Sequence, residues 1–260
     1  MSDTPPDVRI TRDGHVAIVE ICRPPHNFFD QQMIQDLASA FEAVDADPDY
    51  RSIMLCAQGS SFCAGADFAN RNNRAAIDRP RRINPLYGEA LRMFSCSKPM
   101  VSAVHGPAVG GGLGLALVAD FRVTCDEARF SANFNRLGIH PGFGLSVTLP
   151  RLVGIQKAAL LLYTGRRIDG KEAHAIGLAD VLVPKDQVRS EALKLATEIA
   201  ASAPLAVVST RETLRRGLVE EIRNVVARES VEQNRQFFSD DFKEGVAAMT
   251  ARLPPAFTGK

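Results

Sequence analysis

Two stretches decide how this chain is read: Ser61-Phe62-Cys63-Ala64-Gly65-Ala66-Asp67, and KPMVSAVHGPAVGGGLGLALVADFRV over Lys98–Val123. Each begins where a short apolar run ends, Ser52–Ala57 for the first and Met100–Val104 within the second, and each opens into glycine and alanine. After Gly110-Gly111-Gly112 the sequence turns apolar again, as a helix running through Ala119, and Phe121–Thr124 reads as a third strand. Strands that alternate with helices are the pattern of a layered α/β domain. The small residues leave main-chain N–H groups open to a ligand. The glycine triplet stands at a helix start, where orphan N–H groups and the helix dipole favour negative charge. Two such N–H groups converging on one point make an oxyanion hole. Glycine runs that only permit tight turning are the other reading, and spacing alone leaves both open.

Outward from these stretches the α/β reading continues. Val8–Arg12 and His15–Ile21 flank Asp13-Gly14, a dipeptide suited to a two-residue hairpin turn. Asp30 can cap a helix whose apolar residues Met33, Leu37, Phe41 and Val44 recur every three or four positions, and Asp47-Pro48 stops it. A helix is expected around Ile83–Phe94. The second half changes character: Lys157–Tyr163, Gly170–Ile176, Asp186–Ala201, Leu205–Gly217 and Leu218–Phe238 read as helices, and only Asp180–Val183 as a strand. The expected organisation is an α/β core over residues 1–200 and a C-terminal helical region over 201–260.

Composition fits a chain that buries a sizeable core: 260 residues, 45% hydrophobic and 23% charged. With 31 Lys and Arg against 30 Asp and Glu, the net charge is +1, which disfavours a globally basic nucleic-acid binder. No apolar run reaches the roughly 18 residues of a membrane-spanning helix. The opening MSDTPPDVRI has no basic region leading into an apolar stretch, so a cytoplasmic protein is expected. Five cysteines without a close C-x-x-C pair read as reduced thiols, and no metal site is expected. The glycine cluster is not G-x-G-x-x-G, because the sixth position is Leu115 counted from Gly110 and Leu117 counted from Gly112. P-loop, H-E-x-x-H and G-x-S-x-G signatures do not occur.

FCAGAD (62–67) together with the 98–123 stretch resembles the crotonase, or enoyl-CoA hydratase/isomerase, superfamily. Leu149–Gly154, Gly165–Asp169 and the ending from Phe238 to Lys260 resemble that family as well, so the likeness runs from about residue 8 to residue 260. It implies a crotonase-like spiral of ββα units with a C-terminal helical region that builds homotrimers or homohexamers. The implied substrate is an acyl-CoA thioester. Coenzyme A enters as part of that substrate, and no separate cofactor, nucleic acid or membrane is expected. Carried over by position, the backbone N–H groups of Ala66 and Gly111 grip the thioester oxygen. Ala64, Asp67 and Phe68 line the groove for the adenine and pantetheine, and Lys260 reaches a phosphate. The arginines at 71, 74, 79, 81 and 82 either meet those phosphates or form a solvated stretch.

The pattern also breaks. The two glutamates of the family's hydratases fall on Gly114 and Phe134, and the aspartate of some isomerases falls on Gly142. Gly114 and Phe134 are then expected as acyl-pocket wall, and the ordinary hydration mechanism is in doubt. His140 is the candidate replacement acid or base, since imidazole titrates near neutrality. A structural histidine is the alternative there, as it is for His105. Glu89 is a further candidate for proton transfer, and Asn133, Asn135 and Arg136 for a polar acyl group. His26 and Asn27 are expected to shape a turn, and Cys63 to pack. A CoA-thioester binding protein with little catalysis and a divergent acyl-CoA isomerase or hydrolase are the rival functions.

Overall fold

The structure, a computed structural model, describes residues 6–66 and 83–260. Strands β1 (Val8–Asp13) and β2 (Val16–Ile21) form the expected hairpin. Asp13 pairs with Val16, so the two-residue loop is Gly14-His15, one residue later than the sequence suggests; Gly14 takes the positive φ, +54°. Helix α1 (Gln31–Ala46) starts where Asp30 accepts a hydrogen bond from the Met33 amide, and buries Met33, Leu37, Phe41 and Val44. β3 (Ser52–Ala57), α2 (Pro85–Phe94), β4 (Met100–Val104), β5 (Ala108–Val109), α3 (Gly111–Ala116), β6 (Phe121–Thr124) and β7 (Arg129–Ser131) follow in chain order.

The main sheet has the order β1-β2-β3-β4-β6-β9, with β9 at Val181–Leu182; it is antiparallel between β1 and β2 and parallel elsewhere. β3 and β4 are buried at every residue, as continuous apolar runs in a doubly covered parallel sheet require. A second sheet of order β5-β7-β8 uses β8 (Arg167–Asp169), a strand in the half of the chain expected to hold only one. Strands of two or three residues carry no alternation to read.

After a short 3-10 turn over Asn133–Leu137 come α4 (Leu145–Val153), α5 (Ile155–Thr164), α6 (Gly170–Ala175), α7 (Val188–Ala200), α8 (Pro204–Leu214), α9 (Leu218–Gln236) and α10 (Asp240–Ala251). No single helix among the described residues is long and apolar enough to cross a membrane. α8 is fastened to the sheet by charge. The Asp120 carboxylate accepts from Arg211 Nε at 2.7 Å, from Arg215 Nη1 at 2.9 Å and from the Met100 amide at 2.8 Å. α9 is fastened through Glu229, which is fully buried and accepts from the Gly144 and Ser146 amides at the start of α4.

Candidate functional site

The two decisive stretches lie side by side. The Cys63 amide donates to Pro107 O at 3.1 Å and the Val109 amide to Cys63 O at 3.0 Å, so residues 63–66 run parallel to 107–111. Contact this close demands glycine. A Cβ at Gly112 would lie 2.1 Å from Cys63 O, and one at Gly65 (φ +88°) would lie 2.7 Å from Val109 O. Gly110 takes φ +57° and its amide donates to Ser131 O, which turns the chain into α3. Gly111 is the first residue of that helix, so its N–H has no acceptor one turn back. Among the described residues, neither the Gly111 amide nor the Ala66 amide donates to a protein acceptor.

Both positions face one cavity of about 400 Å³. Ala64, Gly65 and Ala66 line it from one loop, and Val109, Gly110 and Gly111 from the other. Its apolar wall includes Phe29, Phe134, Leu137, Ile139 and Phe237, and Met249 reaches it from α10. The Phe29 ring packs against Gly111, where a Cβ would meet Phe29 Cζ at 2.4 Å. The cavity is therefore an apolar pocket with unengaged main-chain donors on one side, the arrangement that strengthens electrostatic interaction with a bound carbonyl.

Ala64, Ala66, Gly111 and Phe134 are thus brought together, and Asn133 joins them. Asp67, Phe68 and the arginines at 71, 74, 79, 81 and 82 lie outside the described residues. Three further expected residues do not line the cavity. His140 does not line this cavity; it borders a separate hollow with Pro141, Ile155 and Tyr163, and its Nδ1 lies 2.8 Å from Pro141 O. Gly114 is buried inside α3 behind Phe143, whose Cβ stands 2.7 Å from where a Gly114 Cβ would be. Lys260 is away from the cavity wall, its carbonyl accepting from the Asp241 amide at 3.1 Å.

The weaker candidates sort by their partners. Glu89 is paired with Arg92. Asn135 and Arg136 turn toward the end of α5, donating to Tyr163 O and Thr164 O. His105 Nε2 lies 3.0 Å from Gly59 O, and burial pushes its pKa down. Asn27, buried with φ +52°, donates to Gln58 O and Ser61 O and so braces the loop that leads into 61–66. Burial pushes the Cys63 thiol up to about 12, which removes it as a thiolate nucleophile. Sequence reading missed Tyr87 and Gln233, both of which line the cavity; their hydrogen bond joins positions 146 residues apart.

Comparison with known proteins identifies the family and the fold. The family model described as enoyl-CoA hydratase/isomerase matches residues 11–260. A Mycobacterium tuberculosis protein named enoyl-CoA hydratase EchA19 is 33% identical, covering 98% of this chain and 97% of its own. A Syntrophomonas wolfei protein named crotonyl-CoA hydratase is 32% identical over 98% of both chains. Among solved structures, an enoyl-CoA hydratase/isomerase from Pseudoalteromonas atlantica T6c superposes with a TM-score of 0.87 at 30% identity, over 97% of this chain and 100% of that one.

Proposed function

Because the chain belongs to the enoyl-CoA hydratase/isomerase family, we propose that this enzyme holds an acyl-CoA thioester with its carbonyl oxygen between the amides of Ala66 and Gly111. The observation that carries this reading is the pair of main-chain donors without protein acceptors on the wall of one apolar cavity. Removing a proton beside a thioester, or adding water across its conjugated double bond, builds negative charge on that oxygen. Two preorganised donors stabilise this charge, each by about 3 kcal/mol where such donors have been removed from other enzymes.

The chemistry we propose does without a glutamate pair. Position 114 is glycine, with its side-chain space taken by Phe143, and position 134 is phenylalanine. Among the described residues, the carboxylate that lines the cavity, Asp30, caps α1 and is paired with Arg23. This favours a divergent acyl-CoA reaction over ordinary hydration. The test is turnover of a panel of acyl-CoA thioesters, with crotonyl-CoA followed by loss of its enoyl-thioester absorbance. Silence on crotonyl-CoA with turnover of another thioester is the expected result. Hydration of crotonyl-CoA at ordinary enzymic rates would overturn the divergent reading, and binding without any turnover would overturn catalysis itself.

We also propose assembly as a trimer or a pair of trimers. Large apolar side chains left in solvent by the single chain support it: Leu205 (86% exposed) and Leu214 (76%) on α8, and Ile155 (71%) and Tyr163 (80%) on α5.

A further inference from the structure

Tyr87 on α2 and Gln233 on α9 are 7% and 1% exposed, and both line the cavity. Their shared polarity is fixed by a neighbour that can only accept. Gln233 Nε2 donates to the His140 carbonyl at 2.8 Å. Reversing the amide would set oxygen against oxygen, so Oε1 must face the other way, toward the Tyr87 hydroxyl at 2.8 Å. The single proton of Tyr87 is therefore directed to Gln233. Burial pushes the phenol pKa up, which keeps that proton in place. What Tyr87 has left is oxygen lone pairs, and what Gln233 has left is its second N–H, which has no protein acceptor among the described residues. Both atoms stand beside Gly142: a Cβ there would lie 1.9 Å from the Tyr87 oxygen and 2.8 Å from Gln233 Nε2. The ring of Tyr87 is held edge-on to Phe143, which limits its swing.

An acceptor beside a donor on the cavity wall matches a group that is both. We propose that Tyr87 and Gln233 select acyl chains bearing a hydroxyl group over plain hydrocarbon chains, with Tyr87 accepting the hydroxyl proton and Gln233 donating to its oxygen. This specificity rests on the thioester reading above. A hydrocarbon chain at this point leaves buried polar atoms without partners, and that loss is the source of the discrimination.

Calorimetric titration with butanoyl-CoA and with its 2-, 3- and 4-hydroxy derivatives tests the proposal. One hydroxy isomer is expected to bind about tenfold tighter than butanoyl-CoA. Tyr87→Phe should erase that preference, because phenylalanine keeps the ring and removes the oxygen that distinguishes the two kinds of chain. Equal affinity for all four ligands in the unaltered protein would overturn the selectivity and leave the thioester reading standing, whether or not the variant folds. A preference that survives in Tyr87→Phe would also overturn it. Failure to bind any of the four would overturn both.

Discussion

At the scale of single residues, the most informative side chain outside the cavity is Glu229. Its carboxylate is enclosed by protein and supported by two backbone amides, Gly144 at 2.9 Å and Ser146 at 3.2 Å. Burial outweighs those hydrogen bonds and raises its pKa from an ordinary 4.5 to about 7. The folded chain therefore holds this proton more tightly than the unfolded chain does. The stabilisation is fully present below about pH 4.5, declines as pH rises, and is gone above about pH 7, a change on the order of 3 kcal/mol. Denaturant titrations from pH 4.5 to 8 should show this fall, and Glu229→Gln should flatten it. An equal slope in the variant would mean that other groups set the pH dependence. Glu229 illustrates what a sequence hides. It lies on a helix whose periodicity is readable, but its partners begin a helix more than eighty residues earlier. The close approach of the two glycine-bearing loops was legible because small residues follow buried strands there, while the choice of Ala66 and Gly111 within them came from the family resemblance. Tyr87 and Gln233 were not, since nothing local marks two polar residues that meet only through tertiary packing.

At the scale of elements, the site depends on how closely α3 presses on the 63–66 loop. Gly112→Ala puts a methyl group where Cys63 O already stands, 2.1 Å from the new carbon. Cys63 O is main chain and the methyl is fixed to the helix, so the loop must move away from the helix and the two amides lose the common target proposed for them. Stability should fall by about 1–3 kcal/mol, and kcat/KM by about 100-fold or more, as when one oxyanion donor is lost. Unchanged kcat/KM in a folded Gly112→Ala protein would separate this contact from catalysis. β3, β4 and β6 were legible as short apolar runs and have the expected bounds, and α1, legible from its periodicity, begins at its expected cap. α4 escaped because Pro150 interrupts it and it starts in a glycine-rich turn at Gly142–Gly144. α10 escaped because its buried residues, Gly245 and Ala248, are small and leave no apolar stripe, although Ser239 caps it through the Phe242 amide.

At the scale of the whole molecule, the last helices of the chain complete the cavity. α9 supplies Gln233, the residue that caps its end supplies Phe237, and α10 supplies Met249. The same region leaves Leu205 and Leu214 in solvent among the described residues of the 28.2 kDa chain. Light scattering on the purified protein should return three or six times that mass. A Leu205→Asp, Leu214→Asp double variant should shift the distribution toward smaller species, and a monomeric mass for the unaltered chain would contradict the proposed assembly.

The central claim is that the amides of Ala66 and Gly111 polarise one thioester carbonyl. Infrared difference spectroscopy of butanoyl-CoA carrying carbon-13 at that carbonyl, in a saturated complex, measures this directly. Two hydrogen bonds weaken the C=O bond, so the carbonyl stretch should lie at lower frequency than in free ligand. A band at its solution position, with the ligand demonstrably bound, would contradict it.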